Sequence, residues 1–191
     1  MRILAVSDVE SQRYYDCYTP GMLDEFDLIL SCGDLNARYL EFLVTMARCP
    51  LLYVRGNHDE MYATDPPEGC VCVEDQIYVH DGIRILGLGG SYRYRDGMNF
   101  YTERQMDRRI QRLSRSLRRY RGFDILLTHA PARHFHDFES LSHRGFECFT
   151  GLLDKYQPRY FLHGHIHRNY GMKIPQRDIY GNTTVINAFD Y

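Results

Sequence analysis

The chain has 191 residues, 44% of them hydrophobic and 25% charged, with a formal net charge of -2. That length can bury one sizeable core, and no Pro/Gly/Ser-rich linker divides it, so a single domain over residues 1–191 is expected. The charge balance excludes a generally basic protein drawn to nucleic acid or membrane, no apolar stretch is long enough to span a bilayer, and Met1-Arg2-Ile3 leads into a strand-like run rather than a signal peptide, which places the chain in the cytoplasm.

Ile3 to Val6 is a short apolar run that reads as a buried strand, and Ser7-Asp8-Val9-Glu10 follows it. Leu28 to Leu30 is a second such run and ends near Gly33-Asp34. Asn36 to Arg48 places Leu40, Leu43, Val44 and Ala47 on one helical face, with Asn36 as N-cap and Pro50 beyond the end. Leu51 to Val54 then returns as a strand before Gly56-Asn57-His58-Asp59, completing a βαβ unit. From 71 to 90 the pattern changes: Val71, Val73, Ile77 and Val79, the turn at Asp81-Gly82, and Ile83, Ile85 and Leu88 read as antiparallel strands, a hairpin joining the sheet.

Residues 103 to 121 carry Met106, Ile110, Leu113, Leu117 and Tyr120 at helical spacing, while Arg104, Arg108, Arg109, Arg112, Arg115, Arg118 and Arg119 cover the remaining surface and face water. No aromatic residues interleave these arginines for base stacking, so nucleic acid is disfavoured there and a protein partner is the alternative to a solvated face. Ile125 to Leu127 is a strand ending at Thr128-His129-Ala130, Phe146 to Tyr156 a second crossover helix, Tyr160 to Leu162 a strand ending at His163-Gly164-His165-Ile166-His167, and Thr183 to Ala188 a last strand. The six cysteines form no CxxC pair: Cys32 and Cys49 read as small core residues, and Cys70-x-Cys72 as alternate residues on one strand face rather than a redox or metal site.

Each of five polar motifs thus follows a buried strand. In open α/β sheets ligands bind at the carboxyl ends of the strands, and residue types that coordinate metals, Asp, Asn, His and Glu, stand at every such end. One metal site assembled from distant positions is the economical reading.

Asp-x-(His), Gly-Asp, Gly-Asn-His-(Asp/Glu), a lone His after a strand and Gly-His-x-His, in this order from Asp8 to His167, resemble the calcineurin-like metallophosphoesterase superfamily. The resemblance implies an α/β fold, a four-layer α-β-β-α sandwich, holding two divalent metals. Carried over by position, Asp8, Asp34 and His167 bind the first metal with the residue at 10 as its remaining ligand, and Asp34 bridges to a second metal held by Asn57, His129 and His165. His58 inherits a catalytic contact with the phosphate and leaving group, with Asn57 also facing the substrate. Two such metals about 3.5 to 4 Å apart polarise a phosphoryl oxygen and turn a bridging water into the attacking hydroxide.

Glu10 departs from the pattern, because the family usually has histidine there. As a ligand it makes the first site richer in oxygen and favours manganese or magnesium, with nickel, zinc and iron as the other candidates. Two divalent metals against Asp8, Glu10 and Asp34 leave a formal +1 instead of +2, and a less positive site holds phosphate less tightly. Alternatively, Glu10 turns away and pairs with Arg13 or Arg55. Thr128-His129-Ala130-Pro131 followed by His143-Arg144-Gly145 looks like the small-phosphodiesterase branch, where this loop borders the cleft; Arg144 or His143 is a candidate contact for a substrate phosphate, with an ordinary loop or surface position as the alternative. Tyr14, Tyr15, Tyr92 and Tyr94 are candidate aromatic walls.

The expected activity is therefore metal-dependent hydrolysis of a small phosphoester, a phosphodiester before a phosphomonoester, since a short chain leaves little room for a cap domain and a diester's single charge suits a less positive site. The alternative is a binding scaffold that kept the fold while its catalysis weakened. Substrate identity and oligomeric state are not written in the sequence.

Overall fold

The computed structural model describes residues 1–167 and 174–191. Four short strands, β1 (Ile3–Val6), β2 (Leu28–Ser31), β3 (Leu51–Tyr53) and β4 (Val71–Cys72), pair in that order into an all-parallel sheet, with Ile3 beside Leu28, Ile29 beside Leu51 and Leu52 beside Val71. The helix between β2 and β3, α1 (Ala37–Met46), starts where Asn36 Oδ1 accepts from the Arg38 amide. This bond satisfies one of the donors a helix leaves open at its start.

A second sheet contains β5 (Gln76–His80), β6 (Ile83–Leu88), β9 (Ile125–Thr128), β10 (Tyr160–His163), β11 (Arg177–Tyr180) and β12 (Thr183–Asn187), in the order β11-β12-β10-β9-β6-β5. Its four inner strands are parallel, and β5 and β11 close the edges antiparallel. β7 (Ser91–Tyr92) and β8 (Phe100–Tyr101) form a small separate ladder before α2 (Glu103–Arg112), α3 (Ser114–Arg119) and, later, α4 (Glu147–Tyr156).

Three apolar clusters define the layers. Leu28, Leu30 and Leu52 of the first sheet interlock with Ile85, Ile125, Leu127 and Leu162 of the second. Tyr39, Leu40 and Leu43 of α1 cover the first sheet's other face, and Met106, Leu117, Phe149 and Leu153 of α2, α3 and α4 cover the second's. The result is the α-β-β-α sandwich that the resemblance implied. Strands buried on both faces need no polar alternation, which is why they read as continuous apolar runs.

The 71–90 segment splits between the sheets. The Asp81-Gly82 turn, with φ of 46° and 79°, joins β5 and β6 as expected, but the hairpin enters the second sheet while β4 continues the first. Cys70 and Cys72 both pack toward the α1 side, as alternate strand residues should. The long helix at 103–121 is interrupted at Leu113, and Arg109 is a correction to its solvated face. Its guanidinium is buried, donates to Asp75 and to the Gly89 carbonyl at 2.8 Å each, and lies 4.4 Å over the Tyr101 ring. Periodicity located the apolar stripe, but could not show that one arginine beside it meets a buried carboxylate, Glu74, at 3.7 Å.

Candidate metal centre

The two sheets lie with their carboxyl strand ends at a common edge, and hydrogen bonds stitch that edge across the sandwich. After β9, His129 Nδ1 donates to the Cys32 carbonyl beyond β2 at 2.8 Å; after β10, the His165 amide donates to Asp8 Oδ2 beyond β1 at 2.9 Å. The loops cross so closely that a Cβ on Gly33 would strike the Gly56 backbone, and one on Gly164 would strike Ser7 and Asp8. The glycines before Asp34 and before Asn57 are thus required by loop-to-loop approach as well as by the turn. Asp8, Asp34 and His165 have φ of 65°, 55° and 66°, a region non-glycine residues rarely occupy. The curl at 165 turns two histidines of alternating spacing into one cleft.

A cavity of about 240 Å³ opens here, lined by Asp8, Asp34, Asn57, His58, Tyr94, Ser142, His143, His165 and His167. His129 lies beneath it, fully buried. Its Nε2 is 3.0 Å from Asn57 Oδ1, 3.1 Å from His165 Nδ1 and 3.4 Å from Asp34 Oδ2. The other ring nitrogen of each histidine is committed to a carbonyl, His129 Nδ1 to Cys32 and His165 Nε2 to Ser142 at 2.6 Å. In neutral rings those donors leave lone pairs on the two facing nitrogens, beside two further oxygen acceptors. Four converging lone pairs repel unless a cation lies among them, so these residues fit a divalent metal. In metal-free protein a proton takes that place. Burial disfavours a charged His129, but the Asp34 carboxylate overcomes it and lifts the imidazole to about 9. Asp34 is correspondingly held down to about 2, its burial outweighed by His129 and by the His58 amide, which donates to Oδ1 at 2.7 Å. Burial and the neighbouring positive charge of His129 hold His165 down to about 3.

The other half of the cleft is less complete. Asp8 Oδ1 is buried and accepts no hydrogen bond, with His167 Nε2 3.5 Å away. An orphaned carboxylate oxygen aimed beside an imidazole also fits a cation. Glu10 is not on this wall: it lines a separate cavity with Arg13, Asp16 and Tyr191. Arg144 is absent from the cleft as well, lying 5.5 Å over the Tyr92 ring, while its neighbour His143 faces the cavity. The His58 side chain is 62% exposed and its Nε2 is 4.0 Å from Asp34 Oδ2, so it reaches into the cleft from the rim. Of the four tyrosines considered as walls, Tyr94 alone lines the cavity.

Asp59 is a participant that motif reading left without a role. Its Oδ2 accepts from the amides of Asp34 at 2.8 Å and Gly56 at 2.7 Å, tying the loops after β2 and β3 together. Burial, reinforced by Asp34, pushes its carboxyl up to about 6. The carbonyls of Cys32 and Ser142 were invisible for a different reason, since a backbone acceptor has no residue-type signature.

A parallel-stranded sandwich with carboxylate, amide and imidazole donors converging at its strand ends is the architecture of a metal-dependent phosphoesterase. The chain belongs to the calcineurin-like phosphoesterase family, whose profile matches residues 1–169. It is 24% identical to UPF0046 protein K07C11.7 of Caenorhabditis elegans over 98% of this chain and 69% of that protein. In fold it is similar to TT1561 of Thermus thermophilus (TM-score 0.62, 16% identity, 98% of this chain and 88% of that one). It is also similar in fold to GAP50, described as the anchor in the inner membrane complex of Plasmodium (TM-score 0.57, 10% identity, 99% and 71%). Hydrolase chemistry with divalent metals is the family's class. Among the described residues, no helix is long and apolar enough to cross a membrane.

Proposed function

We propose that this protein hydrolyses a phosphodiester with two divalent metals held unequally. The supporting observation is the pair of facing imidazole nitrogens, His129 Nε2 and His165 Nδ1, whose other nitrogens are both spent on carbonyls. With Asn57 and Asp34 they make the tighter site. Asp8 and His167, sharing Asp34, make the weaker one, and Glu10 adds little while it faces another cavity. Manganese suits this mixed oxygen and nitrogen set, with magnesium, nickel, zinc and iron as alternatives. When bound, the metals supply Lewis-acid charge and an acidified water.

The chain's own residues do the rest. Asn57 and the histidines would hold the cations without adding negative charge, and the His58 amide fixes the Asp34 carboxylate between the two halves of the cleft, where it could serve both. His58 contacts the phosphate and delivers a proton to the departing oxygen from the cleft rim. No arginine or lysine lines the cleft among the described residues, where His58 and the metals would meet the anionic charge of the substrate. That favours a singly charged diester over a dianionic monoester.

The test is hydrolysis of bis(4-nitrophenyl) phosphate and 4-nitrophenyl phosphate by protein reconstituted with Mn²⁺, Mg²⁺, Ni²⁺ or Zn²⁺. Faster turnover of the diester supports the reading. Preference for the monoester overturns the substrate class, and inactivity in every metal with metal bound leaves a binding scaffold.

A further inference from the structure

The surface farthest from the first sheet carries a pattern that the metal centre does not use. Arg104, Arg108, Arg112, Arg115, Arg118 and Arg119 are all exposed on α2 and α3, and none of them makes an ion pair among the described residues. The whole chain is -2, so this positive ridge is segregated on an otherwise acidic molecule. Natural surfaces usually intersperse charges, and a single-sign field draws oppositely charged partners.

Beside the ridge runs a groove of about 500 Å³ between α2/α3 and α4. Ile110 and Leu117 line one wall at helical spacing; Cys148, Leu152 and Tyr156 line the other. Gly151 sits between them in the interior of α4, exposed, and a Cβ there would meet nothing within 4 Å. A glycine inside a helix is unfavourable relative to alanine, because it loses more backbone freedom on folding. Neither crowding nor a left-handed backbone explains it at 151; what its bare backbone provides is depth in the groove. Arg118 and Lys155 stand at the groove's margins, while Asp107, the acidic residue on its wall, is engaged by Gln111 at 2.7 Å.

We infer that this trough docks an acidic amphipathic helix of a partner protein, its apolar stripe over Gly151 and Leu152 and its carboxylates on the arginine ridge. Helix-in-groove recognition reads an apolar stripe at i, i+3, i+4 and i+7, and arginine is the basic residue enriched at interfaces. A nucleic acid would use the charge, but the aliphatic floor of Ile110, Leu117 and Leu152 gives its bases no stacking partner, and the aromatic rings here are only Tyr120, beside Arg119, and Tyr156 in the groove wall among the described residues. The inference does not depend on the phosphodiesterase reading.

The experiment measures fluorescence anisotropy of three labelled probes with the full chain. They are a peptide helix of about four turns with a leucine stripe flanked by glutamates, its scrambled isomer of equal charge, and a single-stranded RNA. The striped peptide is expected to bind about tenfold or more tighter than the scrambled one, and to weaken with salt. Gly151→Leu, whose Cβ would meet nothing within 4 Å and whose side chain would occupy the groove, should remove that preference without lowering Tm, and Arg112→Ser with Arg115→Ser should weaken the peptide while the apolar preference persists. Equal binding of both peptides, tighter binding of RNA, unchanged binding by Gly151→Leu, or no binding at low salt overturns the inference.

Discussion

The two halves of the metal cleft are made of different materials. On one side His129 and His165 are buried, each ring fixed by a backbone carbonyl, with Asn57 and Asp34 closing the set. On the other, Asp8 has an orphaned oxygen and His167 is partly exposed, and the position where a further ligand is usual holds a glutamate turned to another cavity. The first half is preorganised before any cation arrives; the second must be completed by one. Preorganised ligands cost less to order, so the difference predicts two affinities and a first metal that enters on the histidine side.

Replacing the residue common to both halves should have the largest effect. Asp34→Asn keeps the side-chain shape but removes the shared charge, and metal-dependent hydrolysis should vanish. The stabilisation by metal, about 2.7 kcal/mol at one hundred times Kd, should shrink in melts with and without Mn²⁺. A gain equal to wild type would mean the halves do not share Asp34.

His58→Ala should come next, with turnover lowered by about 10² to 10⁴ and metal content unchanged. The loss should be smaller for nitrophenolate than for an alkoxide leaving group, which needs protonation more. Loss of metal from the variant would instead make His58 a ligand.

Titration separates the cleft from the rest of its strand in a different way. Burial holds His163 and His165 down to about 3, against about 6.5 for a free imidazole, so their contribution to stability is fully present above about pH 6.5 and is lost as pH falls toward 3. His129, lifted to about 9, contributes below about pH 6.5 and loses that contribution as pH rises through 9. Metal-free protein should therefore lose stability on both sides of about pH 6.5, and Mn²⁺, which takes the proton's place at His129, should flatten the alkaline arm. An alkaline arm indifferent to metal in pH-dependent melts would break the link between His129 and the cation.

What could be read from the sequence follows a physical division. Apolar runs such as Leu28 to Leu30 and Ile125 to Leu127 announced buried parallel strands, because burial on both faces leaves no other pattern, and the Asn36 cap was legible because the first turn of a helix needs an acceptor. Order and spacing also brought Asp34, Asn57, His129 and His165 to one place. Contacts made through the backbone or across the sandwich had no such signature: the Cys32 and Ser142 carbonyls, the clamp made by Asp59, and the burial of Arg109 each depend on a partner far away in sequence. Direction was the other blind spot. Glu10 and Arg144 have the right chemistry, yet one lines a different cavity and the other stacks over Tyr92, while His143 beside it faces the cleft.

Glu10→Gln accordingly carries the smallest expected effect, a metal content after dialysis indistinguishable from wild type. Loss of one equivalent would show that the glutamate swings into the cleft when metal binds.

The unequal halves are tested most directly by calorimetric titration of metal-free protein with Mn²⁺. Two separable steps are predicted, with His165→Ala abolishing the tighter and Asp8→Asn abolishing the weaker while sparing the tighter. A single step of two equivalent metals, or loss of the tight step in Asp8→Asn, would contradict the account.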